Sequence, residues 1–186
     1  DTKRDFLDRK KACSLLGIDP SQKIVLMFPA SRSQELKYLL PTLAKAANLI
    51  QRKDPSIYFL VPSGLEGFEN KLREELDQNN VLAKVIPAVE VDKLKTSLFS
   101  VAELAIGKSG TINMELALHC IPQIAAYKVS KITAFIAKKI LKFKVDHISP
   151  VNLLLKERLI PELVQNDFTE NKIAEIALSL LEDSQL

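Results

Sequence analysis

Two short stretches hold the residues best able to do chemistry: PASRSQE at 29–35 and GKSGTINME at 107–115. The chain has five glycines in 186 residues, and Gly107 and Gly110 bracket Lys108 and Ser109 in the second stretch. Apolar residues precede this stretch and a helical pattern follows it, so it reads as a strand-to-helix turn. A helix start exposes unpaired N–H groups and the positive end of the helix dipole. Gly110 would permit close backbone approach and unusual dihedrals. Ser109 and Thr111 add hydroxyl donors, and the combination suits a phosphate or diphosphate. Glu115 follows Thr111 by four residues, one helical turn along the same face. A carboxylate repels phosphate but accepts hydrogen bonds from neighbouring sugar hydroxyls. Turn and acid together therefore describe the diphosphate and ribose of a nucleotide. The plainer alternative makes Ser109 and Thr111 helix caps, Gly110 a turn residue and Glu115 a solvated acid. The spelling is neither a Walker loop nor the three-glycine dinucleotide fingerprint.

The first stretch places Arg32 just after an apolar run and beside a helix start. A guanidinium binds phosphate oxygens with two parallel hydrogen bonds, although a surface arginine beside a capped helix fits the same letters. Glu35 is expected to reach back toward Ser31 or Arg32 as in a capping box.

The elements that must position these turns follow from periodicity. A continuous apolar run at 23–28 has the pattern of a parallel strand buried on both faces, and the mostly apolar runs 57–62, 83–88, 103–107 and 122–127 read as further strands. Helical spacing occupies 31–53, 66–78, 91–100, 111–119, 131–142 and 169–183. Pro41 is expected to bend the first of these or mark an early turn. The stretch 145–167 is too apolar for a loose linker and too broken for one element. Alternating strands and helices predict an α/β fold, a doubly wound Rossmann-like parallel sheet with helices on both faces. Ligands of such sheets bind at the carboxyl ends of strands, where both chemical turns fall.

Composition sets the bounds. With 47% hydrophobic and 26% charged residues, the chain matches an ordinary soluble globular protein. A net charge of +3 gives no reason to expect nucleic acid as a partner. Cys13 and Cys120 lack metal-ligand spacing and fit reduced thiols of a cytoplasmic protein. His119 and His147 have no evident metal or triad partners in the sequence. The chain is expected to be a single domain over 1–186. Residues 1–19 would form a leading helix or linker, and 20–186 a Rossmann-like nucleotide-binding unit. It starts without Met, in what reads as a helix already under way, and a longer parent protein is expected.

Several motifs in order are more specific than either turn alone. PASRSQE, KSGTINMELAL, YKVSKITAFIAKKILK and ISPVNLLLKERLIPELVQ together resemble the C-terminal half of lipid-A-disaccharide synthases over about residues 20–183. That resemblance implies one half of a GT-B glycosyltransferase, the half that binds the UDP-sugar donor. Ser31 and Arg32 would then lie near the diphosphate, Ser109, Gly110 and Thr111 would cradle it, and Glu115 would hold the ribose. Asn152, Glu162 and Gln165 match the last motif and would add donor-side contacts. The implied reaction transfers a diacylglucosamine from UDP to a monosaccharide lipid phosphate, with inversion and release of UDP. It implies no cofactor and no metal. The family's acid/base residues and acceptor site belong to an N-terminal half, so the 186 residues alone are not expected to catalyse transfer. Ala30 departs from the family's usual glycine, and Pro150 stands two before Asn152 instead of adjacent to it. Alternatives are another nucleotide-sugar enzyme of this fold, such as a UDP-N-acetylglucosamine epimerase or a hexosaminyltransferase, and a non-catalytic nucleotide-binding module.

One further stretch draws notice. Residues 116–145 contain no acid, and 128–144 interleaves six lysines with Ile132, Phe135, Ile136, Ile140, Leu141 and Phe143. Such a helix could rest on an anionic membrane surface at the inner face of a membrane. It could equally pack its apolar stripe inward or against an N-terminal domain, and packing is the favoured reading.

Overall fold

The computed structural model describes residues 7–128 and 147–183, and six strands with helices on both faces appear there. The strands are β1 Lys23–Phe28, β2 Ile57–Pro62, β3 Ala83–Ile86, β4 Ala102–Lys108, β5 Gln123–Tyr127 and β6 Glu162–Val164. All pair in parallel, in the order β3-β2-β1-β4-β5-β6. This is the expected doubly wound sheet. The five apolar runs became β1 to β5. The sixth strand was not expected, and it is only three residues long.

The helices are α1 Arg9–Leu16, α2 Ser33–Lys53, α3 Glu69–Gln78, α4 Ala88–Val101, α5 Ile112–Leu118, α6 Pro150–Leu155 and α7 Glu170–Asp183. One face of the sheet is covered by α2, α3 and α7, whose Leu36, Leu43, Leu72, Leu76 and Ile173 pack on Val25, Phe59 and Leu104. The opposite face carries α1, α4 and α5, with Cys13, Leu16, Leu98, Phe99 and Leu116 over Ile24, Leu26 and Leu60. Alternation of strand side chains between the two faces explains why β1 and β2 read as continuous apolar runs. Burying each such aliphatic side chain contributes about 1.5–3 kcal/mol.

Local sequence explains several element ends. Asp8 caps α1, its carboxylate accepting from the Lys11 N–H, and Gly17 closes the helix in the left-handed region with φ of 59°. Arg9 ties α1 to the sheet through the carbonyls of Val101 and Gln22 and the Glu103 carboxylate. The helix α2 runs through Pro41 from Ser33 to Lys53 as one element, so the proline does not end it. α4 begins three residues earlier than its periodicity suggests, directly after Pro87. The expected helix at 131–142, and with it most of the basic apolar stretch 128–144, lies outside the described residues.

Candidate functional site

The strand order decides which turns meet. β2 and β3 build outward on one side of β1, while β4, β5 and β6 build outward on the other. The direction of winding therefore reverses between β1 and β4, and a crevice opens there at the carboxyl ends. Phe28 pairs with Gly107 in this register, which sets the turn after β1 beside the turn after β4. The stretches 29–35 and 107–115 thus face one another.

Their meeting point is Lys108, which the sequence reading had not singled out. Its ammonium lies 3.0 Å from the Ser31 hydroxyl and 3.0 Å from a carboxylate oxygen of Glu35. The other Glu35 oxygen accepts from the Ser31 N–H at 3.2 Å and its hydroxyl at 3.3 Å, the expected reach back across the helix start. Burial pushes the Glu35 carboxyl up, but the Lys108 and Ser31 hydrogen bonds outweigh it and hold the group below its ordinary value. Arg32 is exposed and its guanidinium has no hydrogen-bond or ion-pair partner among the described residues.

Two cavities adjoin this point. One, of about 230 Å³, is lined by Ser31, Ser63, Gly64, Lys95, Gly110 and Thr111 among others, and Lys108 reaches it. The other, of about 780 Å³, is lined by Arg32, Glu35, Lys37, Tyr127 and Lys128, and Lys108 reaches it too. At Gly64 a Cβ would sit 2.1 Å from the Ala30 carbonyl, so the loop after β2 presses directly on the first turn.

The two glycines of the second turn have different reasons. Gly107 belongs to β4, where a Cβ would lie 2.4 Å from the Phe28 carbonyl oxygen. Packing of β4 on β1 requires it. Gly110 is not in the left-handed region, contrary to the expected unusual dihedrals. A Cβ there would meet nothing nearer than the Lys108 ammonium at 4.0 Å. None of the described residues requires glycine at 110, and the space beside it opens on the 230 Å³ cavity.

Capping is likewise different from either expectation. Thr111 makes no side-chain cap bond. Ser109 donates its hydroxyl to the Ile148 carbonyl at 2.5 Å, leaving only its lone pairs for a further partner. Asn113 does the capping, its side-chain oxygen accepting from the Gly110 N–H at 2.7 Å. That side chain is buried and donates to the Gln123 side-chain oxygen at 2.7 Å, while the Gln123 amide donates to the Asn113 backbone carbonyl at 2.9 Å. Glu115 does lie along the helix from Thr111, and it pairs at 2.7 Å with Lys95 of α4. Lys95 lines the smaller cavity, so Glu115 is linked to that cavity by an ion pair.

The motif after residue 145 folds inward. Asn152 is fully buried, donating to the Ile160 carbonyl and accepting from the Ile160 N–H. Glu162 accepts from the N–H groups of Ile148 and Ser149 at 3.0 and 2.7 Å, and its second oxygen lies 3.8 Å from His147. Both side chains shape the loop that receives the Ser109 hydroxyl, and neither lines either cavity beside Lys108. Gln165 stands in a one-turn helix with φ of 52° and also lines neither. Among the described residues, no three His, Cys, Asp or Glu side chains cluster in a way that could hold a metal ion. Nor is any described helix long and apolar enough to cross a membrane.

Comparison with known proteins bears on these features. The family model described as lipid-A-disaccharide synthetase matches residues 1–186. Lipid-A-disaccharide synthase of Prochlorococcus marinus is 52% identical over 183 residues, covering 98% of this chain and 47% of that protein. Its counterpart in Gloeothece citriformis is 40% identical, covering 95% of this chain and 45% of that protein. The chain thus spans about half the length of the curated relatives it matches. Among solved structures, ADP-heptose lps heptosyltransferase II of E. coli matches with a TM-score of 0.65 at 9% identity, over 96% of this chain and 52% of that one. A putative UDP-N-acetylglucosamine 2-epimerase from Listeria monocytogenes matches with 0.61 at 12%, over 98% and 41%. At such identities these two likenesses speak for the fold alone.

Proposed function

Because the chain belongs to the lipid-A-disaccharide synthase family, we propose that it supplies the donor-binding half of an inverting glycosyltransferase. The donor is a UDP-linked diacylglucosamine, and the full protein joins it to a monosaccharide lipid phosphate and releases UDP. The family match favours this reading over the epimerase alternative, whose support is likeness of fold.

The observation that carries it is the juxtaposition of the two turns at the switch point, with Lys108 between them. In transfer the bond between the anomeric carbon and the diphosphate oxygen breaks, and negative charge grows on the departing UDP. Fixed cations and N–H groups at that place lower the barrier. Arg32 has its planar fork exposed at the mouth of the larger cavity and is suited to two phosphate oxygens. Gly110 and Thr111 border the smaller cavity, where a nucleotide could come close to the backbone. Glu115 would exchange Lys95 for ribose hydroxyls. The base that takes the acceptor's proton is assigned to the part of the relatives' length that this chain does not cover. Asn152 and Glu162 serve as supports of the second turn, and Ser109 is held by the same loop. We place the enzyme in the cytoplasm, which suits the thiol state of Cys13 and Cys120. The inner membrane face, where its lipid substrates would lie, is the surface it would meet.

Calorimetric titration of UDP into this chain, carried to millimolar ligand, tests the reading. Saturable binding that is lost in Arg32→Ala and in Glu115→Ala is the expected result. Absence of binding by the folded wild-type chain, repeated on the full-length protein, would sink it.

A further inference from the structure

Lys108 occupies the last position of β4, the strand at the switch point, and reaches both cavities. On the larger one it joins Arg32, Lys37 and Lys128, against Glu35 as the single carboxylate among the described residues of that lining. An ammonium has three N–H donors. Among the described residues Ser31 and Glu35 engage two of them, leaving one for a further oxygen.

We infer that Lys108 binds the donor's diphosphate, and that Glu35 holds it ready and yields it when a phosphate oxygen arrives. The inference deepens the donor-site reading above and rests on it. A diphosphate brought to the junction of the cavities would meet the Glu35 carboxylate beside the cation it needs. Two anions compete for one ammonium, and the pair separates at little cost because Glu35 keeps a second anchorage. Its other oxygen already accepts from the Ser31 N–H and hydroxyl, so losing Lys108 does not strand a bare carboxylate. The lysine side chain is 21% exposed and the glutamate 19%, so solvent screens their contact only in part. A lysine serves here as a movable point charge, while the adjacent Arg32 offers a fixed fork. Sequence spacing alone gave no hint of this, since Lys108 faces Glu35 only after β4 has paired with β1.

UDP titration into this chain distinguishes the inference from a purely structural tie between two turns. Lys108→Met should weaken UDP binding about tenfold, the scale of one charge-assisted hydrogen bond, and Lys108→Arg should restore most of it. Glu35→Gln should tighten UDP binding, because it removes the competing anion, even though it loosens the resting contact. A structural tie predicts otherwise: both variants melt earlier, and UDP affinity either holds or falls in both. That outcome overturns the inference. Should Lys108→Met fail to fold, Lys108→Arg and the sign of the Glu35→Gln change carry the test. UDP binding that depends on Glu115 but ignores Lys108 defeats the inference alone, whereas no UDP binding by the wild-type chain defeats the donor-site reading with it.

Discussion

The turn after β4 and the loop from His147 to Glu162 lie in contact, yet they dispose of their polar groups in opposite ways. In the loop, Asn152 satisfies both polar groups of Ile160, and Glu162 gathers the Ile148 and Ser149 N–H groups. Those hydrogen bonds are all made to the chain itself, although the buried His147 Nδ1 beside them makes none among the described residues. At the turn, Gly110, Thr111 and Lys108 border cavities, and Glu115 is held by one ion pair to another cavity-lining residue. Motif spelling ranked both regions as donor contacts. Physical accounting separates them, because a buried group whose hydrogen bonds are complete has little left to offer a ligand. The difference teaches that a family motif can mark the frame of a site as readily as its contacts.

The largest expected effect lies on the closed side of this divide. Gly107→Ala drives a Cβ against the Phe28 carbonyl, a backbone atom that cannot step aside, and should cost about 3 kcal/mol of stability. Asn152→Ala comes next. It leaves the Ile160 N–H and carbonyl without partners in a buried place, for a loss of about 2 kcal/mol. Both are read by thermal or urea unfolding. If Asn152→Ala unfolds like the wild type yet no longer binds UDP, the contrast fails and Asn152 is a ligand contact after all.

Gly110→Ala probes the open side. No atom of the described residues obstructs the new methyl, so unfolding should shift by less than about 0.5 kcal/mol. UDP affinity should nevertheless fall, because the methyl projects where the ligand approaches. Equal UDP binding by wild type and Gly110→Ala would move the nucleotide away from this turn. Taken with Gly107→Ala, the pair asks whether two glycines three residues apart serve packing and ligand separately.

How much of this could be read from the chain depends on the range of the forces involved. β1 and β2 were legible because a strand buried on both faces is apolar nearly throughout, and β3 to β5 kept enough of that local signal. β6 was not, since Glu162–Val164 opens on a charged residue and becomes a strand only by pairing with β5. The two chemical turns were legible from Arg32, Ser109 and Gly110, and their convergence followed from the fold class. Lys95 and Lys108 were invisible, because their importance arises from which helix crosses the crevice and which strands adjoin. The reason for Gly107 was hidden likewise, since its neighbour Phe28 is far away in sequence.

The smallest effect concerns pH and the Lys108–Glu35 contact that joins the two turns. Burial raises the Glu35 carboxyl, but hydrogen bonds from Lys108 and Ser31 dominate and leave it below 4.5 in the folded chain. A group lowered on folding stabilises the protein above its unfolded value, and that contribution disappears as pH falls through the folded value. Wild type should therefore exceed Glu35→Gln in stability by a constant margin above about pH 5, of order 0.5–1 kcal/mol for a half-screened pair. Below 4.5 the margin should shrink as Glu35 takes up its proton and releases Lys108. Taking the difference between the two proteins cancels the other carboxylates, such as Asp54, which is lowered by Ser56 and Lys23 and titrates in the same range. A margin that stays flat down to pH 3 would mean that Glu35 gains nothing from Lys108, and the link between the turns would then rest on strand pairing alone.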